Sequence, residues 1–461
     1  MADHSKDHDG AAANGGWGRV QPESRLQLER FARGAAGHFQ NAPRHRSMIW
    51  DRWDRDSDGV FRRRDRAIGW RWNLFDDLES VPDYEEVSDA LRDDPCIGPQ
   101  LDMLIGTGMA SSRIELASVI RGIVNESWGK TRRPSFDERR FASAFEKWRI
   151  FFEATRIPVR LVAVLPGATI DDGEPLVVDG DELVIDRLID AEVAAALSTG
   201  LAGLFPADSS IFQGDLIGVR RICWLAKTVS DGALDTPVLE GDGEFGRRPM
   251  VRLDLFGDDV ATLLRLYSSG RVVVSGGFLL RTELGGRGVS WHVRQRPSNA
   301  YGDLRLNTSD LSPLQDLWAD LRRNAASRRR PPPIAFSRFA SAFDRATLQD
   351  RLIDLMIAAE AIFLQEDGSP EDRGELSFRL ALRAAHFITD PARDKAAIFD
   401  EMKKAYALRS RLVHGATHKT TPSNVDPVAD LLRRGLVQAL EASRRGDTFG
   451  TSRYWKNLLL G

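Results

Sequence analysis

The sequence predicts an α+β multidomain protein: a mainly helical N-terminal region, an α+β central domain and a C-terminal all-α four-helix bundle. Three observations carry this. Apolar residues recur at helical spacing before about residue 154 and again after about 335. Between those segments lie short apolar runs separated by Gly- and Asp-containing turns, the pattern of strands. Pro331-Pro332-Pro333 follows Ser327-Arg328-Arg329-Arg330, and three successive prolines favour an extended spacer over a helix interior. The 461 residues suit two to four domains.

In chain order, residues 1–20 are rich in Asp, His, Ala and Gly and read as disordered, with no apolar core of a signal peptide. The mainly helical region covers 21–154. Within it Gln21 to Gln40 suits a short helix, and Phe141, Phe145, Trp148 and Phe152 share a helical face. The α+β domain covers 155–326. Its strands are predicted at Val159–Leu165, at Pro175–Val178 and Glu182–Ile185 around an Asp179-Gly180-Asp181 turn, and at 216–224, 250–256 and 271–281. Helices are predicted from Asp190 to Ser198, from Asp258 to Ser268 and from Ser309 to Asn324. Residues 327–334 are the basic, proline-rich linker, 335–445 the helical bundle and 446–461 a C-terminal tail.

Four apolar stripes define the bundle. Leu352, Leu355, Met356, Ala359, Ile362 and Phe363 form the first. Leu376, Leu380, Ala384 and Phe387 form the second. Ile398, Met402, Ala405, Leu408 and Leu412 form the third, and Leu431, Leu432, Leu436 and Leu440 the fourth. Each is the buried face of an amphipathic helix, and four joined by modest loops make a bundle.

The third helix ends in Tyr406-Ala407-Leu408-Arg409-Ser410-Arg411-Leu412-Val413-His414-Gly415, with Gly415 as its stop. His414 falls in the last turn, where the helix dipole favours a protonated imidazole. Ser410 shares its face. Arg409 stands about 140° away around a straight helix, so the two converge only through a distorted helix end or a second subunit. Glu360 sits in an apolar run, and Arg379 and Arg383 are candidate partners for it in a structural ion pair.

Arg409, four residues and His414 match the Arg-x4-6-His signature of HEPN ribonucleases. Leu352 to Ala361, Glu375 to Arg383 and Arg409 to Gly415 together resemble the Apea-like branch of HEPN domains, which is associated with bacterial antiphage and abortive-infection systems. The resemblance spans about a quarter of the chain. It implies RNA cleavage without a metal or other cofactor, in a composite cleft between two copies of the domain. It makes His414 the general acid/base and Arg409 the phosphate clamp, with Ser410 orienting substrate or His414. Glu360, Arg379, Arg383 and Tyr406 are then supporting residues. The chemistry suits these types, since imidazole moves a proton near neutral pH and guanidinium binds phosphate bidentately. Active members often carry Asn, Asp or His directly after the arginine, where this chain has Ser410. The alternative is a HEPN domain that binds RNA or a partner, or only dimerises, without catalysis.

A second resemblance lies at residues 54–65. Asp54, Asp56 and Asp58, the Val60 carbonyl and Asp65, with Gly59 at the sixth place, fit an EF-hand calcium loop. That reading makes Ser47–Trp53 the entering helix and Arg63–Asn73 the leaving one. Asp65 replaces the usual glutamate, and Arg62, Arg63 and Arg64 place positive charge beside any cation. The simpler alternative is an Asp-rich turn. Gly241 to Gly246 fits G-x-G-x-x-G without the helix that a dinucleotide would need. Two basic groups, Arg62–Arg64 near Trp70 and Trp72 and Arg322–Arg323 with Arg328–Arg330, are of a kind that can hold nucleic acid, and equally ordinary solvated surface. The histidines outside the site, His386 among them, show no metal-ligand spacing.

Composition narrows the class further. The chain is 42% apolar and 28% charged, with a net charge of -3, so affinity for RNA must come from local basic clusters. Two cysteines, Cys96 and Cys223, argue against a disulfide framework and suit a cytoplasmic protein. No run approaches the ~20 apolar residues that cross a bilayer.

Overall fold

A computed structural model of the chain describes residues 17–39, 49–67, 78–101, 104–105, 112–128, 134–180, 183–198, 211–212, 215–226, 229–230, 233–234, 239–240, 249–268, 272–274, 276–281, 288–292, 303–326, 331–364, 375–415, 420–447 and 449–460. The fold is α+β with a helical majority. None of the helices among the described residues is long and apolar enough to cross a membrane.

The N-terminal helices are α1 (Pro22–His38), α2 (Tyr84–Arg92), α3 (Leu116–Ser127) and α4 (Glu138–Glu153). Pro22 starts α1 without loss, because the first turn has no hydrogen-bond acceptor for its missing N–H. Asp137 caps α4 by accepting the Arg140 N–H at 3.0 Å. Phe141, Phe145, Trp148, Phe151 and Phe152 are buried along one side of α4, and each such ring contributes roughly 1.5–3 kcal/mol by leaving water.

Residues 49–67 form a β-hairpin, β1 (Ile49–Arg55) and β2 (Phe61–Ala67), in place of the two helices expected around a calcium loop. The cause is local. Gly59 adopts φ +80° at the turn, where a side chain would be strained. The Gly59 N–H donates to the Asp56 carbonyl at 3.0 Å, and the Asp56 N–H to the Val60 carbonyl at 2.8 Å. An Asp-Gly turn between alternating residues is a hairpin signal, and Trp53 and Phe61 are the buried positions of that alternation.

The central sheet contains β3 (Arg156–Leu165), β4 (Leu176–Asp179), β5 (Leu183–Arg187), β7 (Ile217–Ala226), β8 (Leu239–Glu240), β9 (Gly276–Arg281) and β10 (Gly288–His292), while β6 (Ile211–Phe212) pairs with β2. Its order is β10-β9-β3-β7-β5-β4, with β8 beside β7, and every pairing is antiparallel. The central strand β3 is covered on both faces. Leu161, Ala163 and Leu165 point into the main core, and Val162 and Val164 into a smaller cluster with Trp53, Phe61 and helix α5 (Asp190–Ser198).

The predicted strand at 250–256 is instead the first part of helix α6 (Pro249–Tyr267). Met250 to Phe256 alternates locally, but Phe256, Val260, Leu263 and Leu264 are the buried set, at helical spacing. The longer period prevails because it presents one continuous face to the core. Among the described residues of the predicted segment 271–281, strand structure is found in β9, and Val272 to Val274 precede it without strand pairing.

Helices α7 (Leu311–Ala326), α8 (Pro333–Ala342), α9 (Leu348–Phe363), α10 (Leu376–Phe387), α11 (Lys395–Val413), α12 (Pro422–Arg444) and α13 (Ser452–Leu460) complete the chain. Pro331 and Pro332 are buried and Pro333 opens α8, so the proline triplet leads directly into packed structure. Helices α6 and α7 touch α12, and α6 touches α8. Buried Arg265 of α6 donates to Asp344 beyond α8 at 2.6 and 3.0 Å and to the Val272 and Ala340 carbonyls. The 446–461 segment, expected only as a tail, holds α13, whose Trp455 is buried against Phe363, Phe387 and Phe449.

Candidate functional site

Capping places the site helix. The Ala397 N–H donates to Asp394 at 2.8 Å, which starts α11. At the other end the His414 N–H donates to the Ser410 carbonyl at 3.1 Å, and Gly415 leaves the helix at φ +81°. Ile398, Met402, Ala405 and Leu408 bury one side of α11 in the bundle. Arg409 follows on the edge of that side, half-buried, while His414 is exposed at the tip.

The Arg409 Nη2 lies 3.6 Å from the Glu360 Oε1 on α9. Both side chains are about one quarter exposed, at 25% and 28%. The Arg409 Nε is buried and has no hydrogen-bond partner among the described residues. Tyr406, one turn back on α11, shares this environment. Burial first and the Glu360 carboxylate second push its hydroxyl above the usual tyrosine range, against the opposing charge of Arg409. Glu360, Tyr406 and Arg409 thus form one polar cluster between α9 and α11.

Arg383 serves a different part of the bundle. Arg383, one of the two partners expected for Glu360, is buried with its Nη1 donating to the Phe363 carbonyl at 2.8 Å and its guanidinium 5.2 Å from the Trp455 ring centre. It satisfies the end of α9, where helix carbonyls lack an intrahelical donor. Arg379 is half-buried on α10. Ser410 is half-buried one turn before His414. The structure therefore joins Arg409, Glu360 and Tyr406, while His414 is exposed at the helix tip. The Glu360–Arg409 contact was absent from the sequence reading, because nothing in local spacing relates two helices this far apart in the chain.

The 54–65 segment does not have the shape of a calcium loop. Asp54 pairs in register with Arg62, whereas Asp65 pairs with Asp51, farther along the hairpin. At about 3.3 Å per strand residue this spreads the two backbone positions along a ribbon instead of around a loop. Asp56 and Asp58 face Arg62, at 2.6 and 3.1 Å, and the Val60 carbonyl accepts the Asp56 N–H. Hydrogen bonding to Arg62 holds the Asp58 carboxyl below its ordinary range. One cation of the hairpin itself thus already engages two of the turn's carboxylates. Among the described residues no group of three or more His, Cys, Asp or Glu is placed to hold a metal ion.

Of the basic groups, Arg322 pairs with Asp179 and Arg323 with Asp320, each at 2.6 Å. Arg328–Arg330, Trp70, Trp72 and Gly241–Gly246 lie outside the described residues. His386 is half-buried with its Nδ1 3.0 Å from the Leu382 carbonyl, a packed histidine on α10.

No protein-family model, curated protein or solved structure matches the chain.

Proposed function

We propose that this chain is a HEPN-type, metal-independent endoribonuclease of bacterial antiphage or abortive-infection defence, with residues 335–445 as its HEPN-like bundle. It works in the cytoplasm as a homodimer through that bundle, with RNA as substrate. The reading rests on the sequence resemblance. The observation that supports it most directly is Arg409 at the α9–α11 edge, about one quarter exposed and held by a long ion pair to Glu360. Such a guanidinium can accept a phosphate.

In this reading Arg409 holds the scissile phosphate and offsets the charge that builds in the transition state. The ribose 2′-hydroxyl gives up its proton and attacks the adjacent phosphorus, the bond from phosphorus to the 5′-oxygen breaks to leave a 2′,3′-cyclic phosphate, and the departing 5′-oxygen takes a proton; His414 is the group that accepts or supplies these protons. Arg409 and His414 of one chain diverge around α11, so each cleft combines the arginine and the histidine of facing helices. Glu360 and Tyr406 orient Arg409, while Arg383 supports the end of α9.

The engagement of Arg409 by Glu360 favours a second reading, an RNA-binding HEPN domain without cleavage. Incubating purified protein with labelled total RNA and transfer RNA in EDTA separates the two. Cleavage by wild type, reduced roughly 10²- to 10⁴-fold in His414→Ala and strongly in Arg409→Ala, supports the nuclease. RNA retained on a gel but uncut supports the binding reading. Neither cleavage nor retention counts against both.

A further inference from the structure

From Met402 to His414 helix α11 contains no acidic residue, in a chain whose net charge is -3. Four of its positions carry cationic or ionisable nitrogen outward: Lys403, Lys404, Arg411 and His414 are exposed. At 100° per residue they lie within about 100° of one another around the helix, and along it they span about 16 Å. Lys403, Lys404 and Arg411 have no carboxylate partner among the described residues, in contrast to the paired arginines of α12, where Arg433 and Arg434 both meet Asp430.

Beside this strip stands an aromatic pair. Phe378 of α10 is 43% exposed. Its ring meets Phe399 of α11 edge-on at 5.5 Å, and the Lys403 ammonium lies 5.5 Å from the Phe399 ring centre. The ring is therefore braced from behind and open in front, next to unpaired cations.

We infer that this face of α10 and α11 is a track for single-stranded RNA, with Lys403, Lys404 and Arg411 following the phosphates and Phe378 stacking an unpaired base. The inference rests on the proposed RNA-directed reading and specifies its substrate class. Cations alone would suit any polyanion. An exposed ring braced among them selects a strand with free base faces, because a base inside a duplex is already stacked. The track ends at His414 at the helix tip, so RNA held along it reaches the residue to which proton transfer is assigned.

The test measures binding apart from cleavage. Full-length His414→Ala protein is titrated in EDTA against a short, unstructured, fluorescein-labelled RNA, against the same strand annealed to its complement, and against phosphatidylserine vesicles. Phe378→Ala should weaken single-strand binding roughly tenfold and leave duplex binding unchanged. Lys403→Ala, Lys404→Ala and Arg411→Ala should each lower the salt dependence of log K by about 0.7. Lys456→Ala, on the exposed side of α13, should change neither. Equal affinity in Phe378→Ala, unchanged salt slopes, equal preference for duplex, or binding to vesicles alone would overturn the track. So would a change of oligomeric mass in Phe378→Ala without a change in RNA affinity, which would assign the face to a second copy of the chain. If wild type cleaves RNA but these variants bind normally, the track fails and the nuclease stands. Should they bind as expected while wild type never cleaves, the track stands and the nuclease fails.

Discussion

Arg409 of α11 and Glu360 of α9 meet at 3.6 Å across two helices of the bundle, each about one quarter exposed. An arginine assigned to a phosphate is therefore already in contact with a carboxylate. In the proposed nuclease a phosphate would compete with that carboxylate for one guanidinium, and the contact is too long to spend all of its donors.

Replacing Glu360 by glutamine should release that competition. A partly exposed pair of this kind is worth about 1 kcal/mol or less. RNA binding to Glu360→Gln should accordingly tighten up to about fivefold, with a small drop in thermal midpoint. Anisotropy titration and a melting curve read both. Weaker RNA binding together with lost cleavage would instead mean that the orientation Glu360 gives Arg409 outweighs the competition.

Trp455 should act as a latch for the chain end. It is 1% exposed and touches Phe363, three residues beyond Glu360 on α9, while Arg383 bridges the Phe363 carbonyl and the indole. Trp455→Ala should cost about 3–5 kcal/mol of stability where the cavity cannot collapse. A urea titration should show a lower midpoint. A midpoint unchanged within error would mean that α13 contributes little to the bundle.

Acid should loosen the junction between the α10–α11 turn and α12. Asp390 is buried, which opposes its ionisation, but the Ala392 N–H and then Arg393 and Arg434 outweigh burial and hold its carboxyl below the ordinary range. Asp430 behaves alike: burial opposes ionisation, and Arg433 and Arg434 reverse it. A carboxyl depressed in the folded state adds stability above its unfolded pKa of about 3.9, and that contribution is lost as pH falls through the lower folded value. Urea midpoints should therefore hold from pH 7 to about 5 and decline below about 4. Asp430→Asn should flatten that decline; a steeper decline in the variant would place the acid sensitivity elsewhere.

Some of this was legible in the residues themselves. The four stripes of the bundle, the helix from Asp190 to Ser198 and the strand pair around Gly180 follow from repeat periods of 3.6 and 2, although Leu376, expected at the head of the second stripe, is 37% exposed. The end of α11 was legible too, since Gly415 favours the left-handed turn that it adopts. The hairpin at 49–67 carried its own signal in Asp58-Gly59, but the spacing of Asp54, Asp56 and Asp58 imitates a metal loop. Counting carboxylates cannot show that Arg62 occupies two of them.

By itself, then, the sequence determined which faces of the helices are apolar, where most elements start and stop, and which residue types stand at the tip of α11. Only the tertiary structure decided that Met250–Phe256 joins a helix, that the chain end returns to cover Phe363, that Arg383 serves a carbonyl and that Glu360 answers Arg409. The physical reason is one of range. Period and capping are settled by neighbours within a turn or two. The partner of a half-buried charge is settled by which helices pack together, and that depends on burying the whole apolar surface at once.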